Sequence, residues 1–178
     1  RAGEALQRFA EMAATRAYLH PGWYRRVEEV KKLAARLINA QGEHEIAFIP
    51  NTSTGLSTVA KGIDWCEGDN VLLTNVEFPA NRYPWEDLKR FGVELIAVDQ
   101  HPDGCIEVED VVEAVTSRTR VVAISHVQYA SGCCIDLRPI SDMVHMAGGY
   151  LCVDAIQSTG VMPIDVAAMG IDFLSADG

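Results

Sequence analysis

The stretch Gly148-Gly149-Tyr150-Leu151-Cys152-Val153-Asp154-Ala155-Ile156-Gln157 decides the fold. Two glycines stop one element, a run of apolar-bodied residues follows, and a carboxylate ends it. A short run without polar alternation, Tyr150–Val153, reads as a strand buried on both faces, as in a parallel sheet. Asp154 then projects from the C-terminal edge of that strand, where ligands of open α/β sheets gather. With the amide of Gln157 one helical turn on, it can hold the ring nitrogen and ring oxygen of a heteroaromatic cofactor. The plainer alternative is an Asp that caps a following helix.

Working outward, strands and helices alternate. Apolar runs at Ile46–Ile49, Val71–Thr74, Val93–Val98, Arg120–Ser125 and Asp172–Ser175 are further strand candidates. Between them lie helical patterns at Ser53–Ile63, Pro84–Phe91, the stripe Val108, Val111, Val112 and Val115, Pro139–Met146 and Asp165–Met169. Two helices come first: Leu6 to Tyr18, then one opened by Pro21, with Val27, Val30, Ala34 and Leu37 on one face and Gly42 as its stop. This alternation predicts a three-layer α/β/α domain around a mostly parallel sheet, with right-handed crossovers.

The 178 residues suffice for one domain, and 48% hydrophobic content supports a real core. A net charge of −10 argues against a nucleic-acid or anionic-membrane surface. No apolar run is long enough to span a bilayer. No secretory signal is visible, although the chain opens at Arg1 without Met. The five cysteines (Cys66, Cys105, Cys133, Cys134 and Cys152) are odd in number and contain no C-x-x-C pair. Zinc and a disulfide framework are therefore poor readings, no metal site is expected, and a reduced, cytoplasmic setting is the simplest expectation.

Four strand ends carry polar or aromatic groups. Pro50-Asn51-Thr52-Ser53-Thr54-Gly55 caps a helix and offers N–H groups to an anion. It is neither a dinucleotide fingerprint nor a Walker loop, and alone it reads as a plain cap. Val76-Glu77-Phe78-Pro79-Ala80-Asn81 puts an aromatic where it could stack on a flat ring, or simply pack in a loop. In Ser125-His126-Val127-Gln128-Tyr129, His126 reads as structural and Tyr129 as a candidate for the cofactor face. Asp154 with Gln157 is the fourth. One such edge is unremarkable, whereas four converging edges suggest a site.

In this order, N-T-S-T-G, V-E-F-P-A-N-R-Y-P-W, S-H-V-Q-Y-A-S-G, V-D-A-I-Q-S and D-F-L-S-A-D-G, the chain resembles the class V aminotransferases. These are fold-type-I enzymes that use pyridoxal 5′-phosphate (PLP), and they include cysteine desulfurases and isopenicillin N epimerase-like proteins. The resemblance covers nearly the whole chain. It implies that Thr52 and Ser53 hold the PLP phosphate, that Phe78 stacks on the pyridine ring, that Asp154 pairs with the protonated ring nitrogen and that Gln157 bonds the ring's phenolic oxygen. Tyr129 falls where many relatives place Asn. Cysteine desulfurases carry His at the Phe78 position.

The family's Schiff-base lysine follows the last of these motifs, so no catalytic residue is expected in this chain and the lysine is expected after Gly178. Lys61 and Lys89 are poor substitutes, since both lie on helices away from the strand edges. The resemblance thus implies a helical segment over residues 1–42 and, over 43–178, part of a PLP-binding large domain, with the C-terminal small domain absent. The expected parent is a PLP-dependent enzyme acting on an amino acid by transamination, β-elimination of sulfur or selenium, or epimerisation, and homodimeric when full length. Phe78 tilts the reading away from a housekeeping cysteine desulfurase, and Gln157 ranks kynureninase lower. The alternatives are a lysine-less binding or scaffold module of the same fold, and an unrelated nucleotide-binding domain.

Overall fold

Five short runs become the strands of one all-parallel sheet in the computed structural model, which describes residues 2–16 and 22–177. They are β1 (Asn70–Thr74), β2 (Glu94–Val98), β3 (Thr119–Ser125), β4 (Tyr150–Asp154) and β5 (Phe173–Ser175), in the spatial order β2-β1-β3-β4-β5. Residue alternation sends their side chains to two separate cores. Leu72, Val122, Ile124, Leu151 and Val153 pack with Val111, Ile140 and Val144 on one face. Val71, Leu73, Val121, Ala123 and Cys152 pack with Leu56, Ala60, Trp85 and Leu88 on the other. Burial on both faces explains why these strands read as continuous apolar runs.

The helices are α1 (Ala2–Arg16), α2 (Gly22–Leu37), α3 (Thr52–Gly62), α4 (Tyr83–Glu86), α5 (Val108–Ala114), α6 (Leu137–Met146) and α7 (Val166–Met169). Asn51 caps α3 by accepting from the Thr54 N–H at 2.9 Å, and Asp136 caps α6 by accepting from Arg138 N–H at 3.1 Å. Gly55 lets the first turn of α3 approach β5. A Cβ there would lie 2.4 Å from Ile49 Cδ1 and 2.7 Å from Ser175 Oγ. No described helix is long and apolar enough to cross a membrane.

Several expectations need correction. Ile46–Ile49 is not a strand: no strand pairs with it, and Phe48 and Ile49 are exposed. An apolar run becomes a strand only where a ladder partner lies beside it, and a local window does not contain that partner. Pro84–Phe91 is not one α-helix but the single turn α4 followed by a 3₁₀ segment, Asp87–Phe91. The buried residues Trp85 and Leu88 are three apart, which suits three residues per turn. On α2 only Ala35 is buried, and Val27 and Leu37 of the expected apolar face are exposed. The turn after β4 contains Gln157 but is not a helix. Tyr18, Pro21 and Gly178, which bounded three expectations, lie outside the described residues.

Cys105 and Cys133 form a disulfide, against the expectation from cysteine number and spacing. The reason is topological. The loop after β2 and the loop after β3 leave the same edge of a parallel sheet, so residues 28 apart in sequence meet there.

Candidate active site at the strand exits

Parallel pairing aligns the strand ends. Ser125, Asp154 and Ser175 are register partners across β3, β4 and β5, so three buried polar residues form one row at the exit edge. The Asp154 carboxylate is 2% exposed and accepts one hydrogen bond, from the Ile156 N–H at 3.1 Å. Asp154 thus closes a local turn rather than capping a helix. Burial pushes its pKa up from 3.8 to about 6; the Ile156 bond opposes this, and the nearby charges of Glu77 and Asp177 add to it.

Three further buried atoms at these exits have no hydrogen-bond partner among the described residues: His126 Nδ1, Gln128 Oε1 and Ser175 Oγ. His126 is buried, and its burial lowers its pKa. Its Nε2 lies 3.5 Å from Cys134 Sγ.

Phe78 and Tyr129 leave the exits of β1 and β3 and meet edge to face, with ring centroids 5.2 Å apart and planes at 79°. Both are about half exposed (46% and 52%), so this aromatic corner faces outward rather than into either core. At the start of α3, Thr52 is buried and Ser53 exposed, and Thr52 Oγ1 donates to Asp177 Oδ1 at 3.3 Å. The Thr52 and Ser53 N–H groups, ahead of the capped Thr54, have no intrahelical acceptor, and the helix dipole favours an anion beside them. Gln157 is exposed in the turn after β4, and its amide makes no hydrogen bond among the described residues.

A groove of about 780 Å³ is lined by Ser53 and Lys61 of α3 and by Phe78, Tyr83 and Phe91. Lys61 lies eight residues beyond Ser53, roughly 12 Å along the helix axis. That separation keeps it away from the exit row. Lys89 is exposed on the 3₁₀ segment.

Sequence reasoning assigns no role to Glu77, Ser125 or Gln128. In the structure all three are buried and bonded together at the exit edge. The available signal was a carboxylate three residues beyond an apolar strand, with Asn81 four residues on.

The family model for aminotransferase class-V matches residues 5–178. A probable cysteine desulfurase of Methanothermobacter thermautotrophicus is 35% identical over 154 residues, covering 86% of this chain. The chain spans 38% of that relative's length. An apo cysteine desulfurase from Thermococcus onnurineus NA1 superposes with a TM-score of 0.80 at 28% identity, covering 86% of this chain and 38% of that one. C-DES, in a lysine variant with glycine covalently linked to its PLP cofactor, shares the fold at a TM-score of 0.85 and 21% identity, covering 99% and 49%. With its parallel sheet and polar exit row, the chain belongs to the class-V aminotransferase family, whose cofactor is pyridoxal 5′-phosphate.

Proposed function

We propose that this chain forms the cofactor cradle of a PLP-dependent enzyme that acts at the α-carbon of an amino acid. Asp154 is the observation that carries the reading. A buried carboxylate with a single backbone donor and a raised pKa is a costly group when left unpaired. A protonated pyridine nitrogen supplies the missing donor and the opposite charge, so the residues fit the group. Bound there, PLP supplies an electron sink for the carbanion formed at the substrate's α-carbon.

The chain's own residues divide the remaining work. Asp154 keeps a proton on the ring nitrogen by offering a charge-assisted bond. Thr52 and Ser53 bind the phosphate through hydroxyl and first-turn N–H groups. Phe78 covers one face of the ring and excludes water, with Tyr129 packed against it. Gln157 reaches the phenolic oxygen from its exposed turn.

Phe78 has no ionisable group, so it moves no proton at that ring face. The relatives' description as cysteine desulfurases puts sulfur-bearing amino acids first among substrates to test. The resemblance to the class V aminotransferases makes a homodimer the expected assembly. The test is the full-length protein purified with and without added PLP. Wild type should carry a cofactor chromophore that an Asp154→Ala variant loses; a wild type that takes up no PLP would sink the reading.

A further inference from the structure

Glu77 leaves β1 with its side chain turned inward and buried. Five groups donate to its carboxylate. Thr74 Oγ1 donates to Oε1 at 2.8 Å, Gln128 Nε2 to Oε1 at 2.9 Å, and Asn81 Nδ2 to Oε2 at 2.9 Å. Ser125 Oγ donates to Oε2 at 2.5 Å, and the Ser125 N–H lies 3.1 Å from both oxygens. Asn81 Oδ1 in turn accepts from Trp85 Nε1 at 3.1 Å. Burying a carboxylate is costly unless it is fully bonded, and this one is.

The residues next in sequence say what the clamp is for. Glu77 and Gln128 turn inward and bond each other; Phe78 and Tyr129, one residue on from each, turn outward and pack ring against ring. The inward bond therefore sets the spacing of the outward pair. The same clamp grips Ser125, the register partner of Asp154.

We propose that Glu77 is a positioning residue for the cofactor site: through Gln128 and Ser125 its carboxylate sets where Phe78 and Tyr129 present their rings at the edge that carries Asp154. This rests on the PLP reading above. The charged groups acting on Asp154 are Glu77 from the β1 exit and Asp177 from the β5 exit, while the His126 ring of the β3 exit is buried with a lowered pKa. Removing the Glu77 charge should therefore ease ionisation of Asp154 as well as loosen the rings.

The experiment titrates PLP into the full-length protein across pH, with wild type, Glu77→Gln and Gln128→Met. Glu77→Gln should bind PLP about tenfold more weakly and shift the pH midpoint of binding downward, because a negative charge has left the surroundings of Asp154. Gln128→Met removes the Gln128 bonds to Glu77 and Thr74, keeps the Glu77 charge, and should weaken binding several-fold with the midpoint unmoved. A purely structural Glu77 would lower thermal stability and leave both affinity and midpoint alone. Wild type that binds PLP while both variants match it overturns this proposal and leaves the cofactor reading standing. Wild type that binds no PLP overturns both. If Glu77→Gln does not fold, unchanged affinity in Gln128→Met overturns the proposal and weakened affinity supports it.

Discussion

At the entry end of the sheet, the buried Asp69 and Thr119 bond close sequence neighbours, while Asn70 Nδ2 donates to Thr116 Oγ1 at 3.1 Å. Asp69 Oδ2 accepts from Cys66 N–H at 2.8 Å and Thr119 Oγ1 accepts from Thr116 N–H at 2.9 Å, each closing a turn three residues long. At the exit end, Glu77 bonds Ser125 and Gln128, 48 and 51 residues away, and Asp154 is held by one short local bond. The same polar residue types thus do two jobs. Local bonds finish a turn, whereas long-range bonds converging beside an undersupplied carboxylate build a site. Substitutions at the entry end should change stability alone, and those at the exit end should change cofactor binding.

The strongest way to break that contrast is Asp154→Ala. Leaving the pyridinium without its buried partner should cost about 3–5 kcal/mol, a loss of roughly 10²–10⁴-fold in PLP affinity by absorbance titration. Next, Gly149→Ala probes the entry end. A Cβ there would stand 2.5 Å from Thr119 O and 2.9 Å from Val144 Cγ2. Overpacking against backbone should cost about 1–3 kcal/mol in denaturant melts and leave PLP affinity unchanged. An effect on PLP of comparable size would erase the distinction between the two ends.

Asp154 also makes a pH prediction without cofactor. Its folded-state pKa, about 6, lies above the ordinary 3.8, so the folded form binds the proton more tightly than the unfolded one. That contribution is complete below pH 3.8 and is lost as pH rises through about 6. Asp154→Asn should remove this slope and stabilise the cofactor-free chain at neutral pH by on the order of 1–3 kcal/mol. The smallest expected effects come from the cradle's rim. Thr52→Val should weaken PLP about tenfold by removing one bond to a charged phosphate. Phe78→Ala should weaken it about fivefold by removing an aromatic contact.

Much of the architecture was legible because burial on both faces forces apolar runs such as Val71–Thr74 and Tyr150–Val153 into plain view. The ordered motifs named the family for the same reason: each lies at a strand exit or helix cap and is local in sequence. What stayed hidden depends on partners far along the chain. Ile46–Ile49 has a strand's composition and no ladder. Cys105 and Cys133 meet only because β2 and β3 leave the same edge. Glu77 looks like a loop carboxylate until Ser125 and Gln128 arrive from another strand. The turn holding Gln157 contains too few residues for periodicity to distinguish it from a helix.

The central claim is that Asp154 makes the exit edge a cradle for a protonated pyridine ring. Its most direct test is PLP affinity of the full-length protein measured from acid to neutral pH, in wild type and Asp154→Asn side by side. Wild-type affinity should climb relative to the variant as pH passes about 6, where the carboxyl ionises. Parallel curves for the two proteins would contradict it.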